Sequence, residues 1–238
     1  MLTCGFMRMM RKKISHRNSH HSHEFAVSHR FRGFSLIELM VAITIFTLIT
    51  SIVVLNQRNF GGSVLITNLA YDVALTVRQA QVYGISVRKV RGVADPIAQF
   101  DRRYGIHVAL NDGYYILFAD ADNDLKYDTT VNSATGCLAS PPVGHFPECV
   151  SLFKIEKGNY IKQFCGDAVC SNSPGTPIDT LEILFHRPEP EPTVRGYKGG
   201  SYVNTYGSAS ITVASPQGTT KSVCVSAAGQ ISIKASCL

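Results

Sequence analysis

Most of this 238-residue chain lacks net charge. Residues 1–33 hold seven of the 23 Lys/Arg (Arg8, Arg11, Lys12, Lys13, Arg17, Arg30, Arg32) and one of the 17 acids, Glu24. The rest therefore carries 16 of each sign, and the formal +6 of the whole chain belongs to its first 33 residues. A cationic body of the kind that grips nucleic acid through nonspecific charge is disfavoured. Histidine is scarce as well, since five of the eight lie in the same basic segment, leaving His107, His145 and His186, which show no recognisable partners in the sequence. No GxSxG, HExxH or phosphate-cradling loop occurs, so the sequence reads as a non-enzyme that requires no cofactor. No proline interrupts residues 34–95, and no two cysteines have the CxxC spacing of a zinc site.

What is present begins with one long apolar run. Leu36–Leu55 reads LIELMVAITIFTLITSIVVL, in which 15 of 20 positions are apolar and Glu38 is the sole charge between Arg32 and Arg58. As a helix, residues 34–55 would extend roughly 33 Å, enough for a hydrocarbon core of about 30 Å. The basic block ahead of it stays cytoplasmic by the positive-inside rule, which directs the C-terminal body outward. No small-residue cleavage site follows the run, because Thr50-Ser51 continues into Ile52-Val53-Val54. The conspicuous boundary lies before it, at Arg32-Gly33-Phe34-Ser35-Leu36-Ile37-Glu38. A carboxylate inside a membrane helix costs about 2–3 kcal/mol unless it is paired or wet. Glu38 therefore calls for a positive partner within the membrane or a position shallow enough to reach the headgroups.

Gly33-Phe34-Ser35-Leu36-Ile37-Glu38-Leu39-Met40-Val41 resembles the cleavage and methylation motif of the type IV pilin and pseudopilin family. The resemblance implies that a prepilin peptidase cuts between Gly33 and Phe34 and methylates the new amine of Phe34. It implies further that Glu38 pairs with the Phe34 amine of a neighbouring pilin or pseudopilin subunit as a helical filament assembles. Uniting two otherwise unpaired charges at low dielectric selects the correct neighbour and register. The other implied partners are an inner-membrane assembly platform and membrane lipid. The implied location is the cytoplasmic (inner) membrane, single-pass with the N-terminus in the cytoplasm, and then a periplasmic or cell-surface filament. Met7, Met9 and Met10 offer later starts, and starting at Met10 leaves a 24-residue leader. The His16, His20, His21, His23 run reads as leader sequence rather than a metal site.

After the apolar run, Ile66, Leu69, Val73, Val77 and Ala80 recur at spacings of three and four, with Asn68, Asp72, Thr76 and Gln79 off that face. The pattern predicts one helix from about Phe34 to about Val87, with Gly61-Gly62 as a flexible joint. Beyond Pro96, short β-rich runs predict strands at 104–110, 114–119, 150–155, 160–164, 180–186, 209–214, 222–226 and 230–234. Asn111-Asp112-Gly113 reads as a hairpin turn between the first two and Ala227-Ala228-Gly229 as the last turn. The run Pro188-Glu189-Pro190-Glu191-Pro192 is predicted not to be a central strand, and residues 196–207 to be a mobile loop.

The predicted class is α+β, a long N-terminal helix packed on an antiparallel β domain. Its segments are a leader (1–33), a membrane half-helix (34–55), an amphipathic half-helix with linker (56–95) and a β-rich domain (96–238). Leu69–Val87, Leu184-Phe185-His186-Arg187-Pro188 and Ser226-Ala227-Ala228-Gly229-Gln230-Ile231 resemble the GspH/FimT-like minor pseudopilins, which implies a β-sandwich on the second half of the helix.

Three further groups are candidates. Six cysteines outside the basic segment suggest disulfides, and chain proximity favours Cys137–Cys149, Cys165–Cys170 and Cys224–Cys237 among 15 connectivities. Asp120, Asp122, Asp124 and Asp128 occupy relative positions 1, 3, 5 and 9 of an EF-hand-type loop, which suggests Ca²⁺. Against it, Leu125 stands where glycine makes the turn, and Val131 where the closing glutamate belongs; a solvated acidic loop is the competing reading. Arg88, Lys89 and Arg91, with Arg102 and Arg103, form the body's only basic concentration. They read as a solvated helix end or as a DNA contact. The alternatives to a filament subunit are thus a DNA-binding minor pilin and a calcium-dependent adhesin.

Overall fold

The computed structural model describes residues 33–110, 112–128, 136–137, 146–175 and 177–237, with backbone only for 55–61. The leader with its His16–His23 run, Asn111 of the expected turn, and His145 lie outside the described residues. The fold is α+β, as expected. Helix α1 (Leu36–Ile85) runs for 50 residues, and Gly61-Gly62 do not interrupt it. The chain divides into two compact units, residues 1–49 and 50–238.

In the first unit, every described residue is exposed. Ser35 caps α1: its hydroxyl accepts the Glu38 backbone N–H at 3.2 Å, and its carbonyl accepts that of Leu39 at 3.1 Å. Serine at the N-cap with glutamate three residues on is a helix-start pattern, and an acid in the first turn suits the positive end of the helix dipole. The stretch Leu36–Val54 is long and apolar enough to cross a membrane by length and composition, and none of it is buried.

In the second unit, α1 contributes Ile66, Leu69, Ala70, Val73, Val77 and Ala80 to one apolar core. Thr76, expected off this face, is buried on it, its hydroxyl bonded to the Asp72 carbonyl one turn back. Eleven strands follow among the described residues, namely β1 (Tyr104–Ala109), β2 (Tyr114–Ala119), β3 (Cys149–Lys154), β4 (Tyr160–Gly166), β5 (Val169–Cys170), β6 (Thr180–His186), β7 (Glu189–Lys198), β8 (Ser201–Tyr206), β9 (Ala209–Ala214), β10 (Thr220–Val225) and β11 (Ile231–Lys234). They form two antiparallel sheets, ordered β3-β2-β1-β6-β7-β8 and β11-β10-β9-β4-β5. Ile183, Phe185 and Val194 of the first share a core with Phe164, Ile211 and Val223 of the second. Alternation supplies these inward residues, since side chains of a strand point to opposite faces.

One expectation is met and one fails. The Pro/Glu run enters β7 but pairs on one side only, with β6, so it is not a central strand. Its prolines are tolerated because Pro190 and Pro192 fall where the β6 register shifts, between the pairs His186–Glu189 and Leu184–Thr193. Pairing with β8 starts only at Val194, so no ladder bond is lost to either proline. Residues 196–207, expected as a loop, instead form the end of β7 and all of β8. Gly199 and Gly200, at φ of 55° and 77°, make the two-residue turn between Lys198 and Ser201. Positive φ at both central positions gives the turn whose twist matches its strands.

The helix is tied to the sheets by a residue that periodicity passes over. Gln81 is buried, and its Nε2 donates to the Pro190 carbonyl at 2.9 Å and the Gly229 carbonyl at 3.0 Å. One turn on, Gly84 allows close approach, since a Cβ there would lie 2.4 Å from the Phe185 carbonyl oxygen.

Candidate functional site

The N-terminal candidates lie in one exposed stretch of chain. Gly33 precedes the helix, and a Cβ built on it meets nothing within 4 Å. Phe34 is 76% exposed, and the Glu38 side chain is exposed one turn into α1. The fold thus makes no packing demand on Gly33 or Phe34 among the described residues. From Phe34 to Val54 large apolar side chains lie open, including Leu36, Ile37, Met40, Phe46, Leu48 and Ile52. Such a surface is consistent with membrane anchoring.

The three cysteine pairs expected from proximity are the three formed: Cys137–Cys149, Cys165–Cys170 and Cys224–Cys237. Cys165–Cys170 joins paired positions of β4 and β5, and Cys224–Cys237 holds the chain's last residues to β10.

The acidic segment that follows β2, residues 120–128, draws its carboxylates together. Asp120, Asp122 and Asp124 bring a carboxylate oxygen each within 4.8 Å of one another. Asp122 and Asp128 do the same with Glu148, which the sequence reading did not single out. Nothing in the linear spacing marks Glu148, 20 residues past Asp128. It arrives beside the loop because it directly precedes β3 and the disulfide-bonded Cys149. Its Oε1 accepts the Ala121 N–H at 3.0 Å and its Oε2 that of Asp128 at 3.4 Å. Burial, and the nearby Asp122 and Asp128 charges, push the Glu148 carboxyl up to about 9. Burial raises Asp120 to about 6. Leu125 adopts φ +70°, the left-handed conformation that glycine ordinarily supplies at this position of such a loop.

Two histidines gain partners that their sequence neighbours do not reveal. His107 Nδ1 lies 2.7 Å from Glu182 Oε1, both largely buried on paired positions of β1 and β6. Burial alone would lower the imidazole, but the charge and hydrogen bond of Glu182 outweigh it and hold His107 above its ordinary value. His186 and Arg187 both meet Asp101, at 3.2 and 3.0 Å, and the Arg187 hydrogen bond holds Asp101 below its usual range.

Arg88, Lys89 and Arg91 line one cleft of about 260 Å³ with Tyr104 and Pro147. The Arg88 guanidinium sits 3.8 Å from the Tyr83 ring centroid. Arg103 is not part of this cleft and instead bonds Asn123 of the acidic loop.

Comparison with known proteins bears on the N-terminal stretch. No curated protein and no solved structure matches this chain. Residues 28–54 match the family model described as the prokaryotic N-terminal methylation motif, which spans Gly33, Phe34 and Glu38 and ends where the exposed apolar run ends.

Proposed function

We propose that this chain is a non-catalytic structural subunit of a type IV pilus-like filament or type II secretion pseudopilus. It is made as a prepilin, cut after Gly33 and N-methylated on Phe34. The observation that carries the proposal is the methylation motif placed at the capped start of α1, whose exposed apolar stretch Leu36–Val54 holds one charge, Glu38. The geometry supports it in two ways. A Cβ on Gly33 would meet nothing within 4 Å among the described residues, which is in keeping with a glycine chosen for a peptidase rather than for packing. On the second half of α1, Tyr71, Leu75 and Val82 stay exposed at helical spacing, opposite the core face, and offer apolar area to neighbouring stems. The partners in this reading are a prepilin peptidase, other pilin or pseudopilin subunits, the inner-membrane platform and lipid. Glu38→Ala is expected to insert in the membrane and be cleaved, yet enter filaments poorly; incorporation at the wild-type level would refute the assembly role.

A DNA contact has one observation in its favour: Arg88, Lys89 and Arg91 face one cleft, and none forms an ion pair among the described residues. Under this second reading, DNA binding by the full chain falls steeply with salt and is lost when all three are replaced by glutamine. Retardation unchanged in the triple variant would dismiss it.

A further inference from the structure

The loop between β2 and β3 has the opening of a calcium loop in its sequence but lacks the closing glutamate. The fold brings in a carboxylate from elsewhere. Glu148 is fully buried, comes from the far side of the β2–β3 excursion, and meets Asp122 and Asp128 with all three oxygens within 4.8 Å. Asp122 belongs also to the trio with Asp120 and Asp124, so an ion beside Asp122 stands at the junction of both sets. Among the described residues, no Lys, Arg or His forms an ion pair with any of these five acids. The backbone N–H groups that bond Asp120 and Glu148 use one lone pair of each oxygen and leave another for a metal.

A second observation comes from outside the carboxylates. The Tyr127 side chain is 8% exposed, and its hydroxyl has no hydrogen-bond partner among the described residues. The Glu148 carboxylate is the charge that acts on it most strongly. A buried hydroxyl without a partner costs about 1–3 kcal/mol, a cost that the water of a hydrated cation among these acids would remove.

The geometry points to a Ca²⁺ site in which Asp120, Asp122, Asp124 and Asp128 form the first arc and Glu148 closes the coordination in place of the glutamate missing at Val131. Hard oxygen donors in this number suit Ca²⁺, which takes six to eight ligands, better than Mg²⁺, which demands a tighter octahedron. Bound there, the ion would pin the segment before β3 to the loop after β2. The site is independent of the N-terminal motif and stands or falls separately from the filament reading.

The test uses the full chain in detergent, stripped with EDTA and titrated with CaCl₂, MgCl₂ or TbCl₃. Tyrosine-sensitised Tb³⁺ luminescence and thermal melting are both read. The expected result is saturable luminescence displaced by Ca²⁺, and a rise in melting temperature at Ca²⁺ concentrations at least about tenfold below those of Mg²⁺. Glu148→Gln should raise the half-saturating Ca²⁺ at least about tenfold; its amide keeps only one of the two oxygens that accept backbone N–H groups, so melting in EDTA is compared with the wild type to separate a folding loss from a binding loss. Asp122→Asn, which touches both acid sets, should abolish the response and serves if Glu148→Gln folds poorly. The site is overturned by no response of the wild type up to about 10 mM Ca²⁺, by equal response to Mg²⁺, or by variants that bind like the wild type.

Discussion

Beside the apolar core, Gln81 ties the C-terminal end of α1 to the β domain, and its removal gives a worked prediction. Gln81→Met keeps the length and approximate volume of the side chain but deletes the amide. Two bonds disappear, at 2.9 Å to the Pro190 carbonyl and 3.0 Å to the Gly229 carbonyl. Pro190 is exposed as a residue, so the loss of the bond to its carbonyl costs about 1 kcal/mol. Gly229 is buried, so its carbonyl keeps the desolvation cost without the bond, about 1–2 kcal/mol more. The sum, about 2–3 kcal/mol, lowers the melting temperature of a unit of this size (residues 50–238) by about 5–10 °C. The assay is thermal unfolding of the full chain in detergent followed by near-ultraviolet circular dichroism, which reads tertiary packing. Val82→Gln, one residue along on the exposed face, is the control and should stay within about 0.5 kcal/mol. If Gln81→Met melts with the wild type, the polar tie between helix and sheets is not what holds this end of α1.

Two further outcomes follow from the same region and the sheet beside it. Gly84→Ala places a Cβ 2.4 Å from the Phe185 carbonyl oxygen, a backbone atom that cannot swing away, and should cost about 1–3 kcal/mol despite alanine's better helix propensity; chemical denaturation of the variant checks it. The His107–Glu182 pair gives a pH dependence. Because His107 is held above its ordinary value in the folded state, its stabilisation is full below about pH 6.5 and is lost as pH rises through the folded value. The melting-temperature gap between wild type and His107→Gln should therefore be wider at about pH 5.5 than at about pH 9, and a gap that does not narrow would remove this pair from the account.

Much of the architecture is legible in the residues, and the failures have physical causes. The core face of α1 and most strands show in their periodicity, because burial on one side imposes spacings of three and four in a helix and two in a strand. Thr76 and Gln81 escape that reading because polar residues enter a core when bonded, Thr76 to Asp72 and Gln81 to two carbonyls. The β7–β8 hairpin is hidden by its own chemistry. Two prolines at a register shift and a Gly-Gly turn look like loop until the partner strands are known. The disulfide pairs follow from proximity along the chain, whereas Glu148 and the His107–Glu182 pair depend on contacts between distant segments. The N-terminal motif is the opposite case. It is local and linear, and an exposed helix adds little to it beyond the Ser35 cap and the absence of any packing reason for Gly33.

The filament account depends above all on what happens between Gly33 and Phe34. Intact-mass and N-terminal peptide mass spectrometry of the native membrane-derived protein measures it directly. The account predicts a mature chain that begins at Phe34 and carries one methyl group on its amine. Native protein that still bears residues 1–33, or begins elsewhere within the apolar run, would contradict it.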